Sequence, residues 1–327
     1  MSLKVHPRIA PADLNQLMSV LEIRVVGLSE CLVSSGYRLD LRGHTSPGLH
    51  YILKGSGLMR TAERATPIEV RPHTLIVVPP GTAFKLEAPD DDHAGRAPMI
   101  VDGRSQTTTT ESIRRYVAGD ADPAIVMICG YFHAMYAPSM DIFDALSTPI
   151  VEQFDEKDQL DIKLRNALDE LVAQEIGAGA ISAALLKQVI VALVRRSLGS
   201  MQAWTERFSM LSDPPIARVF ADMVANPGDA HTVESLAEKA FLSRSAFMAR
   251  FTSVVGRSPM MVLRDLRMKQ AGSQLVSSGL TIDQVAQNAG YASRSSFVRA
   301  FKSAYDMDPS EYRTLKTRDA TSSSQTP

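Results

Sequence analysis

Residues 232–259 and 281–309 are two versions of one motif, and this duplication constrains the fold more than any other feature of the chain. TVESLAEKAFLSRSAFMARFTSVVGRSP aligns with TIDQVAQNAGYASRSSFVRAFKSAYDMDP, with one extra residue in the second turn. Thr232 meets Thr281, Ala237 meets Ala286, and Ala240 meets Ala289. Ser243-Arg244-Ser245 meets Ser293-Arg294-Ser295, and Phe247 and Phe251 meet Phe297 and Phe301. Two copies are too few for a solenoid, so the pattern reads as a duplicated module.

Each copy predicts a short helix, a tight turn and a second helix. Thr232 and Thr281 are N-cap residues for the first helices, and Ser243 and Ser293 for the second. Gly290 supplies the positive φ that a tight helix–helix turn often requires. This is the helix-turn-helix arrangement, in which the second helix presents its N-terminal residues to a major groove. With the phenylalanines inward, Arg244, Ser245, Met248 and Ala249 point outward in one copy, and Arg294, Ser295, Val298 and Arg299 in the other. A guanidinium fork can donate bidentately to guanine O6 and N7. Lys302 extends this DNA-facing set. Between the modules, PMMVLRDLRMKQAGSQLVSSG reads as a helix begun by Pro259 and stopped before Gly279. At 1.5 Å per residue it spans roughly 28 Å, comparable with the ~34 Å between successive major grooves. Arg264, Arg267 and Lys269 on it are candidates for phosphate contacts, Arg267 first among them.

Charge follows the same division. Lys plus Arg total 35 and Asp plus Glu 36, a net charge of −1 that by itself indicates no nucleic-acid partner. Residues 231–327, however, hold 13 basic and 8 acidic side chains, a balance of +5, which leaves −6 on residues 1–230. The basic excess lies on the reading modules.

The remainder of the 327 residues predicts a second domain and a connector. From about Val20 to Tyr131, β-rich runs (VLEIRVVGL, LHYILKG, TLIVVPPGT, AFKLEAP, AIVMICGYF) alternate with Gly, Pro and Asp punctuation, as in a sandwich or barrel. Segments 88–98 and 102–111 read as exposed loops. From about Asp141 to Ser200 the period becomes helical. Leu160, Leu164, Leu168 and Leu171 stripe one helix, and Ile181, Leu185, Val189, Ala192 and Arg196 a second. These helices either pack on their own barrel or form a dimer interface, and Trp204 and Met201 are expected to help dock them. The most apolar window, Ala183–Val194, contains Lys187 and Gln188 and is too short to cross a bilayer; the first ten residues lack a signal-peptide core. Cys31 and Cys129 are too few for a disulfide framework, and Cys129 reads as a buried core thiol. A cytoplasmic location is expected.

The last hundred residues resemble the DNA-binding domain of AraC/XylS-type transcriptional regulators, through SLAEKAFLSRSAFMARF, RMKQAGSQL and IDQVAQNAGYASRSSFVRAFKSAYDMDPSEYR. The resemblance implies base-edge contacts at Ser245, Met248 and Ala249 in the first unit and at Arg294, Ser295 and Arg299 in the second. The front resembles the cupin-like sensor domain of the same regulators, through LHYILKGSGLM, VRPHTLIVVPPGTAF and CGYF. Metal-binding cupins use His-x-His in the first of these motifs, where this chain has only His50, and a further His in the second, where it has Phe84.

The expected architecture is therefore α+β and multidomain. A cupin-like barrel (a double-stranded β-helix) spans 1–138, a helical dimerisation and linker segment 139–210, an all-α tandem helix-turn-helix domain 211–316, and a disordered tail 317–327. The implied partners are double-stranded DNA, a small-molecule effector near His44, His50 and Phe84, a second copy of the chain, and RNA polymerase. No metal, cofactor, membrane or catalytic residue is expected. The competing reading is a metal-dependent cupin enzyme with an appended helical domain.

Overall fold

Between Glu22 and Gln153 the chain folds as strands, in a computed structural model that describes residues 9–89, 97–103, 107–110, 113–119, 122–137, 140–144, 146–199 and 213–322. The strands are β1 (Glu22–Val33), β2 (Tyr37–Leu41), β3 (Gly48–Lys54), β4 (Gly57–Thr61), β5 (Ile68–Val70), β6 (Thr74–Val78) and β7 (Phe84–Glu87). They continue with β8 (Met99–Asp102), β9 (Thr107–Thr110), β10 (Ile113–Ala118), β11 (Ile125–Ala137), β12 (Met140–Asp141) and β13 (Ile150–Gln153). One sheet runs β13-β6-β3-β11-β1-β10-β9, with β12 beside β11; the other runs β5-β4-β7-β2-β8. Strand alternation sends Cys31, Val33, Ile52, Ile76, Val78 and Met127 from the first sheet, and Leu39, Met59, Phe84 and Leu86 from the second, into one shared core. This is the cupin-like barrel. Within the segment expected as a loop, Thr107–Thr110 pairs with β10, because a run of β-branched residues suits a strand despite its polarity.

The two middle helices are α2 (Leu160–Ala173) and α3 (Ala178–Gly199). They pack on each other, and α3 also packs on β1 and β13. Leu160, Leu164 and Leu168 of α2 are buried as expected, whereas Leu171, expected on the same stripe, is half-buried. On α3 the buried stripe is Ser182, Leu186, Val189, Ile190, Leu193 and Val194, so the expected stripe is correct only at Val189. Ile181 is exposed and Leu185 half-buried, because the helix is rotated about one residue from the reading that began at Ile181. At 22 residues α3 extends beyond the apolar window Ala183–Val194 at both ends. By length and composition Ala178–Ser197 could cross a membrane, with a mean hydropathy of 1.6, yet its buried face is covered by α2 and the sheet. The barrel and these helices, residues 22–135 and 141–207, form one compact unit.

Residues 1–21, 136–140 and 208–327 form the other. Among their described residues, α1 (Pro11–Val20) packs on α4 (Pro214–Ala225), burying Leu17, Leu21, Tyr136 and Phe220. The duplicated modules follow as α5 (Val233–Lys239), α6 (Arg244–Val255), α7 (Pro259–Ser277), α8 (Ile282–Asn288), α9 (Arg294–Tyr305) and α10 (Pro309–Ser322). The last helix enters the segment expected to be disordered. Among residues 317–322 no proline or glycine stops it.

Candidate nucleic-acid interface

Each module is fixed by caps that its sequence prescribes. Thr232 accepts from Ser235 N–H while Ser235 Oγ accepts from Thr232 N–H; Thr281 and Gln284 repeat this capping box. Ser243 and Ser293 accept from Ala246 and Ser296 N–H, each at 3.3 Å, and start the second helices. Phe247 with Phe251, and Phe297 with Phe301, are fully buried beneath them. A Phe→Ala change at such a site typically costs about 3–5 kcal/mol. The turns differ. Gly290 takes φ +74°, whereas the first turn places Phe241 at φ +55° with its ring 83% exposed. The Arg218 guanidinium lies 5.8 Å from that ring's centre. The duplicate comparison gave no warning of this strained position, since a left-handed residue is ordinarily glycine or asparagine.

The outward residues lie where the helical spacing placed them. Arg244, Ser245 and Ala249 on α6 are exposed and Met248 is half-buried; on α9, Arg294, Ser295, Arg299 and Lys302 are exposed. Arg244 pairs with Glu234 at 3.0 Å and Arg294 with Asp283 at 3.5 Å. In both modules, then, the first arginine of the second helix is tied to the second residue of the first helix. Exposed pairs of this kind are worth at most about 1 kcal/mol and can be exchanged for phosphate. Lys302 faces Asp308 at 3.5 Å. Arg299 forms no ion pair with the described residues and stands free for a ligand.

Arg267 departs from its expected role. Its Nε donates to the Pro227 carbonyl and its Nη2 to the Asp229 carbonyl, each at 2.8 Å, and its guanidinium lies 6.0 Å from the Tyr291 ring centre. Burial lowers its pKa, and the neighbouring Tyr291 opposes that shift. A side chain half-buried in these bonds clamps the loop before α5 to α7 and to the second turn. Helical spacing alone could not distinguish this clamp from a phosphate contact.

In the barrel unit the three effector candidates have different surroundings. Phe84 and His50 are buried in the interior, ring centres 4.3 Å apart. His44 stacks on Tyr131 at 4.4 Å and its Nδ1 accepts from Ser46 N–H at 3.0 Å. A cavity of about 500 Å³ borders Phe84, but neither His44 nor His50. Its lining also includes Asp40, Arg60, Lys85, Ile100 and Asp102. Strand alternation puts these five on the outer face of the second sheet, since their neighbours Leu39, Leu86 and Val101 pack inward.

A polar chain that no sequence spacing announced runs beside His44. Ser46 Oγ lies 3.0 Å from His133 Nε2, and His133 Nδ1 lies 2.9 Å from Asp141 Oδ2. Asp141 also accepts from Ala134 N–H at 3.2 Å and Phe143 N–H at 2.9 Å. Burial raises its carboxyl pKa, while the bonds from Phe143 and His133 oppose that rise. Ser46's own amide is taken by His44, so the chain anchors the segment before β3 to β11 with its hydrogen bonds satisfied. Cys129 is buried as expected but is not a thiol: it is bonded to Cys31. The strands that carry them are neighbours in the sheet, a proximity that residue counting cannot reveal. Among the described residues, no three His, Cys, Asp or Glu side chains converge as a metal-ligand set. Met201 and Trp204 lie outside the described residues.

Comparison with known proteins agrees with both halves. Residues 14–199 match the Cupin family and residues 236–314 a helix-turn-helix domain family. The RCS-specific HTH-type transcriptional activator RclR of Escherichia coli K12 is 34% identical over 137 residues, 42% of this chain and 48% of that protein. The HTH-type transcriptional regulator AlkR of Acinetobacter baylyi is 32% identical over 129 residues, 39% of this chain and 42% of that protein. The chain thus spans less than half the length of either. Among solved structures, the DNA-binding domain of AdpA in complex with a target DNA is 30% identical over 33% of this chain and 96% of that one, with a TM-score of 0.32. With the cupin match covering more than half of the residues, the chain belongs to the Cupin family, and the duplicated helix-turn-helix domain that follows is similar to that of AraC-like regulators.

Proposed function

We propose that this protein regulates transcription by binding promoter DNA through both helix-turn-helix units, docked in adjacent major grooves and controlled by a small-molecule effector at the barrel unit. The observation that carries the reading is the repeated geometry. Two Ser-capped helices, each on a pair of buried phenylalanines, present Arg244, Ser245, Met248 and Ala249 in one unit, and Arg294, Ser295, Arg299 and Lys302 in the other. The +5 balance of residues 231–327 supports it, since neutralising phosphates supplies much of any protein–DNA affinity. Arg267 belongs to the scaffold in this reading, and α7 turns Arg264 to solvent for phosphate contact.

The cavity bordered by Phe84, Arg60 and Lys85 is the better effector candidate than His50, which is packed in the interior, or His44, which is half-buried and already bonded to Ser46. Homodimerisation through the outer faces of α2 and α3 is supported by exposed Ile162, Ile176 and Ile181 in and between those helices. A contact with RNA polymerase and a cytoplasmic location complete the reading, which assigns the chain no catalytic role. Footprinting on the DNA flanking its own gene tests it. Protection of two adjacent major-groove segments on one face of the duplex is expected, and protection of a single segment, or none, would refute the two-headed docking.

A further inference from the structure

The two cysteines and His50 lie together inside the barrel. On the β1–β11 ladder Cys129 sits opposite Ser29 and Cys31 opposite Met127, so the cysteines are diagonal neighbours, with Cα atoms 6.6 Å apart. On its other side Cys129 sits opposite His50 of β3. Directly opposed residues place their Cβ atoms about 4.5–5.5 Å apart. Both cysteines belong to the interior core, and the His50 ring packs at a tilt against Phe84 of that same core, so all three side chains face inward.

His50 is fully buried, and neither ring nitrogen has a hydrogen-bond partner. Burial pushes its pKa down to about 3, so the ring is neutral, with one N–H and one bare lone pair. Interiors seldom leave such a group unsatisfied. Gly48 shows how closely the ring is packed: a Cβ there would lie 3.0 Å from His50 Nε2 and 2.7 Å from Val78 Cγ2. A disulfide sulfur has no proton to give this lone pair, whereas a thiol does. Breaking the Cys31–Cys129 bond therefore creates the donor that His50 lacks.

We propose that Cys31, Cys129 and His50 form an oxidant-reactive dithiol site whose substrate is a small peroxide. In the reduced chain the Cys129 S–H donates to His50. Its sulfur attacks one peroxide oxygen, the O–O bond breaks, and His50 relays the thiol proton to the departing oxygen, which leaves as water or an alcohol. Cys129 is then a sulfenic acid. Cys31 sulfur attacks Cys129 sulfur, the S–OH bond breaks, and the Cys31 proton leaves with hydroxide as water. The dithiol loses two electrons, the peroxide gains them, and the ring is neutral before and after. A neutral relay suits this place because a thiolate–imidazolium pair would bury two charges in an apolar core. Return to the dithiol uses a dithiol reductant. Enclosure restricts the oxidant to a small molecule, as both cysteines are at most 3% exposed.

The test uses the full-length protein reduced with a phosphine, desalted, and given a few equivalents of hydrogen peroxide. Samples are quenched over time in a denaturing alkylating buffer and read by mass spectrometry and peptide mapping. Closure of Cys31–Cys129 at least tenfold faster than in the same chain held in urea is expected, with a slower rate in deuterated water. His50→Leu should lose both the rate advantage and the isotope effect. His50→Gln, which keeps a polar acceptor, should retain part of the rate and decides the matter if the leucine variant does not fold. Closure no faster than in urea, His50 variants that close at the wild-type rate, or a bond that resists the phosphine would each overturn the proposal. Neither DNA nor effector enters the measurement, so its failure leaves the regulatory reading standing.

Discussion

Replacing Arg267 by alanine separates two roles that the sequence left together. The side chain donates two bonds to main-chain carbonyls at 2.8 Å and stacks near Tyr291. Hydrogen bonds from a charged donor contribute about 1.5–3 kcal/mol each when buried. Half-burial puts both at the low end, so the pair is worth about 3 kcal/mol, with an increment of about 0.5 kcal/mol from the ring. For a helical unit of this size, 1 kcal/mol shifts the midpoint by roughly 3–5 °C, which predicts a fall of about 10–18 °C. Differential scanning calorimetry of the full chain measures it on the transition that promoter DNA raises. The salt dependence of DNA binding supplies the second reading. A phosphate contact contributes about 0.9 to the slope of log K against log salt, whereas a clamp contributes nothing to it. Arg267→Ala should therefore lower the melting temperature and leave the slope unchanged. A variant that melts like wild type, with the slope reduced by about 0.9, would refute the clamp and restore the phosphate contact.

Arg299→Ala should weaken cognate binding by about 1–3 kcal/mol and relax preference at one base pair without altering stability, as read by titration against a panel of single-base variants. Gly290→Ala should cost about 2 kcal/mol or more in urea denaturation, because the residue sits at φ +74° and its Cβ would meet the Gly228 carbonyl oxygen at 2.6 Å. His50 should make the barrel unit acid-labile: its folded pKa of about 3 lies below the unfolded value near 6.5, so the unfolded chain binds the proton first as pH falls. Stability is retained above pH 6.5 and lost below it at about 1.4 kcal/mol per unit, or about 2 kcal/mol by pH 5, and urea titrations of His50→Leu should lack that slope.

What the sequence made legible was local. Caps at Thr232, Ser243, Thr281 and Ser293, the phenylalanine pairs and the turn at Gly290 all follow from spacing within one or two helical turns. The duplication doubled each signal. What stayed hidden depends on contacts between distant segments. Arg267 reaches carbonyls 38 and 40 residues away, Cys31 meets Cys129 across 98 residues, and Ser46 meets His133 across 87. No periodicity encodes such pairings, because strand order in the sheet decides them. The rotation of α3 has a related cause. A helix apolar on nearly every side leaves its buried face to whatever it packs against, here α2, β1 and β13. The outer-face cavity was invisible for the same reason, since its walls come from β2, β4, β7 and β8.

The differences between the two modules matter more for the proposed docking than their likeness. Both recognition helices start with an arginine held by an acidic neighbour, and both follow it with an exposed serine. One turn further on they diverge, to Met248 and Ala249 in the first and to Val298 and Arg299 in the second. A methyl or thioether reads only the thymine methyl group or the shape of the groove, whereas a guanidinium distinguishes guanine by two bonds. The second turn is also the better held, with Gly290 against the Gly228 carbonyl and Arg267 beside Tyr291. The first turn instead carries a strained and exposed Phe241. Docked in adjacent grooves, the second head would set the sequence and the first would supply affinity and register. Base substitutions in the half-site under α9 should then cost about 1–3 kcal/mol each, and those under α6 distinctly less. Equal penalties in the two half-sites would show that Met248 and Ala249 read more than their chemistry allows.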